Sequence, residues 1–413
     1  YSLWLIFPLR LLAESFTADL SGGSFLTIPV NHLWHLIFGD KLFFMPVWWA
    51  YSICLGLFFA AMPFSRYMHI LTEVLWILLR NAGLKPSHPR KGVAEAEIYA
   101  CSSCGLCLDA CPMNVQKKNL KYSSVYFIRF LRRHNEKKIN DIAEKCLMCD
   151  KCHALCPVGV DAPALRRAQR ATVNNSLVYD YSYLKSCQSE TMVTSAPEVM
   201  YFAGCMTHLT PRIIKSVEKV FKAASVNYVF AAQETIAANK KMILESGCRT
   251  LVLSCPICYK IFKEEYGLKD IEVLHYTQYI KRLVDEGRLK LNAGGESIVY
   301  HDPCELGRGC GVYAEPRNVL SQVGTLVKAG KEGDESVCCG GSLGSLTLDA
   351  RDRAKITESS LANLVVNKPQ TIVTACPLCL MTFSGPALDA ANAEGNPVKV
   401  NDFAEVVSRS ISI

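Results

Sequence analysis

Apolar residues follow two different patterns along this chain. Up to about residue 90 they come in long runs with few charges; beyond it they come as short β-branched stretches between helix-like segments. Tyr1–Leu9 (YSLWLIFPL) reads as the end of an apolar helix closing at Arg10, followed by a polar, Gly- and Ser-bearing loop over 13–29. Leu42–Met62 is a run of 21 uncharged residues, long enough to cross a bilayer core of about 30 Å. Trp48 and Trp49 near its start suit an aromatic belt, and Pro46 falls in the first turn, where its missing N–H costs little. Met68–Leu79, carrying Glu73, reads as an interfacial helix rather than a full span. Arg66, Arg80, Lys85, Arg90 and Lys91 then accumulate, which the positive-inside rule places on the cytoplasmic side. The expectation for this part is N-terminal transmembrane helices in a membrane segment, with all later chemistry facing the cytoplasm.

From about Tyr201 the second pattern repeats itself. Thr250–Phe262 (TLVLSCPICYKIF) aligns with Thr371–Phe383 (TIVTACPLCLMTF), each a β-branched strand delivering a Cys-Pro-x-Cys pair at its end. A predicted helix precedes each (Glu234–Ser246 and Ala354–Val366), and a second short strand follows each, within 271–280 and 398–407. Such alternation predicts two tandem α/β modules with small parallel sheets, whose ligands sit at the C-terminal ends of strands. The fold class is therefore α+β multidomain. Its expected parts are a membrane segment (1–90), a helical domain with two clusters (91–175), and the two modules (176–296 and 297–413).

The repeats also share a first cysteine, Cys205 in one and Cys304 in the other, but their middles differ. Cys205 to Cys255 is 50 residues, whereas Cys304 to Cys376 is 72. The shortfall of 22 falls at Phe230–Ala231. The chain also starts at Tyr1 without a methionine. Together these read as a longer product of which the first module's middle loop is missing here, rather than as a module that lost it.

Composition narrows the chemistry. The 413 residues suggest two to four domains at about 150 each. Lys+Arg exceed Asp+Glu by 45 to 38, a bias that fits an acidic partner or a membrane face and is too diffuse to argue for nucleic acid. The 20 cysteines fall mostly in Cys-x-x-Cys groups, which reads as metal binding in a reducing compartment rather than disulfide stapling. No hydrolase or nucleic-acid motif is present.

Cys101-x-x-Cys104-x-x-Cys107-x-x-x-Cys111-Pro112 is followed by Cys146-x-x-Cys149-x-x-Cys152-x-x-x-Cys156-Pro157. This is the bacterial ferredoxin run written twice, in which the fourth cysteine of each run ligates the other cluster. The expected ligands of one [4Fe–4S] cubane are thus Cys101, Cys104, Cys107 and Cys156, and of the other Cys146, Cys149, Cys152 and Cys111. Val125, Phe127, Ile128 and Leu131 in the basic insert between the runs have helical spacing and predict a helix packed beside the clusters. Asp161 is the expected N-cap of the helix that leaves this domain, with Pro163 in its first turn. Farther on, Cys304, the adjacent pair Cys338-Cys339 and Cys376-x-x-Cys379 form a five-cysteine pattern. A vicinal disulfide is strained, and thiolates are the soft ligands an iron cluster needs; Gly340 and Gly341 let backbone pack closely beside a metal. Cys205, Cys255 and Cys258 match that pattern without the pair, and whether they hold a cluster is left open. Cys54, Cys187, Cys248 and Cys310 fit no motif and read as core or incidental thiols. His301 and Asp302, just before Cys304, admit a hydrogen bond to cluster or substrate, with strand-end packing the favoured reading.

The doubled Cys-x(n)-Cys-Cys-Gly-x(n)-Cys-x-x-Cys module behind two ferredoxin runs resembles the catalytic iron–sulfur subunit of heterodisulfide reductases. It also resembles iron–sulfur proteins linking electron-transferring flavoprotein to menaquinone. The resemblance covers roughly residues 95–413. It implies a noncubane [4Fe–4S] cluster on Cys304, Cys338, Cys339, Cys376 and Cys379, able to bind a substrate sulfur and cleave a disulfide in two one-electron steps. The N-terminal stretch resembles the membrane domain of the nitrate reductase gamma-subunit type. That domain usually has a haem-ligating histidine near the position of Tyr51; His32, His35 and His69 suit haem b, but this departure leaves haem b unassigned. The two resemblances together imply a membrane-bound iron–sulfur oxidoreductase of a respiratory complex, passing electrons between the quinone pool or a cytochrome b subunit and a thiol/disulfide substrate. The alternative is a relay from a flavoprotein to menaquinone without disulfide chemistry.

Overall fold

The computed structural model of the chain describes residues 2–18, 25–38, 44–62, 68–84, 90–115, 117–173, 197–232, 236–342, 348–385, 388–389 and 397–412. It divides into two compact units, one made of residues 1–85 and 95–102 and the other of 86–94 and 103–413.

The described residues of the first unit form α1 (Ser2–Phe16), α2 (Thr27–Phe38), α3 (Phe44–Ala61), α4 (Met68–Asn81) and most of α5 (Val93–Ala100). The transmembrane expectation is not met: among the described residues no helix is long and apolar enough to cross a membrane. Of the 21-residue run the described residues form α3, 18 residues long, about 27 Å at 1.5 Å per residue against a hydrocarbon core of about 30 Å. Leu42, Arg66 and Lys85 lie outside the described residues. The helix expected to close at Arg10 instead runs on through Phe16, because Arg10 Nε donates to Glu14 one turn later at 2.8 Å. Asn31 Nδ2 then donates to the Ser15 carbonyl at 2.8 Å and Trp34 stacks on Phe16, tying α2 to α1. His32 and His35 sit on α2 and His69 on α4.

In the second unit, short helices build the ferredoxin-like part. They are α6 (Leu106–Asp109), α7 (Ser124–Arg132), α8 (Glu136–Glu144), α9 (Lys151–Ala154) and α10 (Ala162–Val173). The helix expected in the basic insert is α7, and Val125, Phe127, Ile128 and Leu131 are all buried. Asp161 caps α10, its Oδ1 accepting from Ala164 N at 2.8 Å.

The α/β alternation is realised as two four-stranded parallel sheets. The first has β1 (Val199–Ala203), β2 (Tyr228–Ala232), β3 (Thr250–Leu253) and β4 (Glu272–His275) in the order β2-β1-β3-β4. The second has β5 (Ser297–His301), β6 (Thr325–Leu326), β7 (Thr371–Thr374) and β8 (Lys399–Asp402) in the order β6-β5-β7-β8. The helices between them are α11 (Cys205–His208), α12 (Pro211–Ala223), α13 (Ile236–Glu245), α14 (Pro256–Glu264), α15 (Tyr276–Asp285), α16 (Gly307–Cys310), α17 (Ala314–Val323), α18 (Ala350–Leu364), α19 (Pro377–Phe383) and α20 (Phe403–Arg409). The central strands of each sheet are buried along nearly their whole length, hence their runs of apolar residues such as Leu251–Leu253 and Ile298–Tyr300. Phe230–Ala231, where the repeats lose register, lies inside β2 and pairs with Tyr201–Phe202. Only residues 233–235 separate β2 from α13, whereas the second module carries its cysteine pair on the long connection between β6 and α18.

One apolar core serves both modules. Tyr276, at the start of α15, reaches across it to donate its hydroxyl to Asp402 Oδ2 at 2.8 Å, and Asp402 caps α20. Tyr276→Phe is expected to cost about 2 kcal/mol, since it strips a hydrogen bond from a buried carboxylate; a lowered urea midpoint at unchanged slope would show it.

Candidate metal centre

Each module delivers its cysteines from the C-terminal ends of its two central strands. Cys304 follows β5, and Cys376 follows β7 as the residue capping α19, with Cys379 one turn on. Pro377 fits the first turn because its missing N–H had no helical partner there. Cys338 and Cys339 enter from the connection before α18. The structure brings these together: Cys304, Cys339, Cys376 and Cys379 line one cavity with Pro256, Ile257, Pro303, Glu305, Ser342 and Leu378. Cys339 Sγ and Cys379 Sγ are 3.3 Å apart. Cys338 makes hydrogen-bond contacts to Cys304 and Cys339. All five are buried.

The backbone is shaped to this packing. A Cβ on Gly341 would sit 1.8 Å from Thr382 Oγ1, and Gly340 has φ 85°, a conformation side chains disfavour. The two glycine amides face sulfur: Gly340 N to Cys338 Sγ at 3.5 Å and Gly341 N to Cys339 Sγ at 3.3 Å. Donors of this kind favour thiolate over thiol. Hydrogen bonds from Cys338, Cys379 and His301 hold Cys339 well below the usual thiol range. His301 is thus part of the site rather than strand-end packing: its ring, Cys339 and Cys379 offer ligand atoms within 4.8 Å of one another. Asp302 turns away, binding Arg317 with both oxygens at 2.6 and 2.7 Å and accepting from Gly333 N at 2.9 Å.

The second ferredoxin run forms a cavity of its own, with Cys111, Cys146, Cys149 and Cys152 in its wall beside Tyr122, Ser124 and Arg166. Burial pushes the Cys111 thiol up to about 12 and raises Cys152 too. Arg170 secures the approach to Cys146 through the carbonyls of Ala143, Glu144 and Cys146 at 2.7–3.0 Å. Arg166 stacks on Phe127 and donates to the Ile142 and Tyr122 carbonyls. The two runs share a local backbone. Ser103 and Met148 have φ 59° and 57°, and Gly105 and Asp150 have φ 93° and 55°. This conformation turns Met148 N toward Cys146 Sγ at 3.4 Å. Cys104, Cys107 and Cys156 belong to the second unit and Cys101 to the first; Cys104 is exposed.

Cys205, Cys255 and Cys258 also converge, after β1 and β3. A Cβ on Gly204 would meet Cys258 Sγ at 2.5 Å, and Cys255 and Cys258 share a hydrogen bond. Cys54, Cys248 and Cys310 stay outside these groups, Cys310 being pushed up to about 12 by burial. Cys187 lies outside the described residues.

The two cavities adjoin. Cys149 lies close enough to Cys338 for that neighbour to lower its thiol to about 6, and Cys149, Cys304, Cys338, Met113 and Leu147 share one small cluster. Around this seam run contacts that sequence spacing could not show. Lys260 Nζ of the first module lies 3.0 Å from Asp150 Oδ2 and 3.3 Å from Glu305 Oε2. Lys151 Nζ donates to the Glu335 carbonyl at 2.8 Å, and Ser342 Oγ to the Leu147 carbonyl. Arg308 Nε donates to the Cys149 carbonyl at 2.7 Å. Buried, sulfur-rich walls with inward amides, and a buried guanidinium whose Nη2 has no hydrogen-bond partner among the described residues (Arg308), fit anionic iron–sulfur groups at both cavities.

Comparison with known proteins agrees with this chemistry. Residues 298–384 match the family described as cysteine-rich domain, and residues 97–160 the 4Fe-4S dicluster domain. The chain is 24% identical to the EtfAB:quinone oxidoreductase of Syntrophomonas wolfei, over 94% of this chain and 69% of that protein. It is 24% identical to the probable iron-sulfur-binding oxidoreductase FadF of Bacillus subtilis, over 77% of this chain and 47% of that one. It is 20% identical to a subunit of the dihydromethanophenazine:CoB--CoM heterodisulfide reductase of Methanosarcina barkeri, over 77% of this chain and 95% of that one. The chain thus spans about two thirds of the first of these relatives and about half of the second. The resemblance read from the cysteine spacing holds: the chain carries a cysteine-rich domain and a 4Fe-4S dicluster domain, and the relatives it is similar to are named as oxidoreductases, heterodisulfide reductase and EtfAB:quinone oxidoreductase among them.

Proposed function

We propose that the chain carries electrons between a cubane pair in its ferredoxin-like part and a noncubane cluster on Cys304, Cys338, Cys339, Cys376 and Cys379, where a thiol/disulfide substrate is turned over. The observation that carries this is that Cys149, in the wall of the ferredoxin-like cavity, shares one buried cluster with Cys304 and Cys338 of the five-cysteine site. Bound clusters supply one-electron transfer, and at the five-cysteine site a seat for substrate sulfur. The protein's share is to place and screen them. Pro256, Ile257, Pro303 and Leu378 wall the cavity with apolar surface that keeps water from the reacting sulfur. The amides of Gly340 and Gly341, with His301, offset thiolate charge there.

The quinone pool, reached directly or through a cytochrome b or flavoprotein subunit, is the proposed partner at the other end, on the cytoplasmic face of the membrane. The apolar residues left exposed on the first unit, among them Trp4 and Leu36 at 83% each, support apposition to a bilayer surface or an apolar subunit. A second reading has support of its own, since a protein named for EtfAB and quinone matches 94% of the chain: electron relay from a flavoprotein to menaquinone with no disulfide chemistry. Disulfide-dependent oxidation of a reduced quinol analogue by the purified complex decides between them. Turnover is expected. Its absence with every disulfide tried, alongside rapid reduction by a flavoprotein, would sink the first reading in favour of the second.

A further inference from the structure

Arg308 stands in the single turn α16, four residues after Cys304. Its guanidinium is spread across the seam between the two cavities. Nε donates to the Cys149 carbonyl at 2.7 Å, on the ferredoxin-like side. Nη1 donates to the Ser336 carbonyl at 2.9 Å, to Ser336 Oγ at 2.7 Å and to the Asp334 carbonyl at 3.1 Å, all on the connection that delivers Cys338. Nη2 is buried and has no hydrogen-bond partner among the described residues. Among the described residues no carboxylate pairs with this cation, while Arg317, Arg288 and Arg282 of the same modules each have one. The titratable groups that face it are the sulfurs of Cys149, Cys304 and Cys338 and the Tyr313 hydroxyl, with the Lys151 cation also near.

A buried guanidinium without a carboxylate is costly unless something anionic meets it. Four neutral acceptors satisfy part of its fork and none of its charge. The unspent N–H and the three sulfurs around it place the missing negative charge at the seam, shared by the two sites. We propose that Arg308 is the positioning residue that couples the cubane site at Cys149 to the five-cysteine site, clamping the two loops together and biasing both centres toward their reduced state. This rests on both sites holding clusters, as in the proposed function. Each one-electron reduction adds a negative charge beside a fixed positive one, and net charge and hydrogen bonding at the sulfurs set such potentials. The guanidinium itself exchanges neither electron nor proton.

EPR-monitored redox titration of the full chain, prepared anaerobically in its complex, tests the assignment in Arg308→Met, Arg308→Lys and, as a control, the exposed Arg249→Gln. In Arg308→Met the midpoints of both the Cys149 cubane and the five-cysteine centre should fall. At a fixed potential each should be at least tenfold less reduced, about 59 mV for one electron. Arg308→Lys keeps the charge and loses the fork, so both midpoints should move the same way by less; Arg249→Gln should move neither. Unchanged midpoints in Arg308→Met, or a shift confined to one centre, overturn the coupling. If Arg308→Met does not accumulate, Arg308→Lys alone decides, and midpoints equal to wild type overturn it. Wild-type protein lacking a second class of signal would bring down the two-site reading itself, and the assignment with it. Intact wild-type signals with unmoved variants bring down only the role of Arg308.

Discussion

Cys338→Ser is expected to remove the EPR signal of the C-terminal centre, lower bound iron, and leave the cubane signals in place. Turnover with a disulfide should drop by more than about 100-fold, because losing even an outer-shell partner costs about 10- to 100-fold and Cys338 contacts sulfur on three sides, Cys304, Cys339 and Cys149. Serine matches cysteine in size, so packing around Val337 and Gly340 is kept and the loss reports the thiolate. Cys146→Ser, in the wall of the other cavity, should stop electron delivery while the C-terminal signal survives and can still be reduced chemically. The pair of variants separates two roles for the chain. If it were only a relay within a larger complex, Cys338→Ser would keep turnover and Cys146→Ser alone would abolish it. Single-turnover reduction with a chemical donor, compared with quinol-driven turnover, makes the distinction quantitative.

Why were the ligands legible and their surroundings not? Cysteine pairs such as Cys146–Cys149 and Cys376–Cys379 sit on one turn or one strand end, so local spacing carries their geometry. The strand–helix alternation likewise rests on a period of two or 3.6 residues. The residues that join the sites have no such signature. Lys260, Asp150 and Glu305 come from three separate parts of the chain and meet only once all have folded. Arg308 is one arginine in a Gly-rich turn until the Cys149 loop docks on it. His301 was indistinguishable from its neighbour Asp302 along the strand; the sheet's pleat sends one to the sulfurs and the other to Arg317. The membrane expectation failed for a related reason: an apolar run of 21 residues shows what cannot face water. How much of the run is one helix depends on where the helix starts and stops.

Lys260→Met should be the most destabilising single change at the seam, by about 3–5 kcal/mol near neutral pH. It leaves two carboxylates in low-dielectric surroundings with their shared cation gone. Asp150 and Glu305 are only 8% and 15% exposed at their side chains, so water cannot replace the lost partner. The pH dependence should identify the cause. Burial already holds Glu305 above its usual value, with Asp150 adding to it and Lys260 opposing. Burial works against Lys260, yet the charges of Glu305 and Asp150 keep it above its ordinary range. A raised lysine contributes stability that is present at neutral pH and lost only as pH climbs through its folded value. Without the lysine, Glu305 loses a charge that opposes its burial and rises further. A carboxylate raised in the folded state contributes stability that is present below its unfolded value and lost as pH rises through the folded one. The variant should therefore approach wild-type stability as pH falls toward about 4 and diverge from it toward neutrality. Urea midpoints of the two proteins across that range measure the gap. A constant difference at every pH would mean the lysine acts through its packed stem, as a snorkelling side chain can, and not through its charge. Closing the gap with Lys260→Arg, a cation that can still reach both carboxylates, would tie the seam's strength to this one charge from the first module.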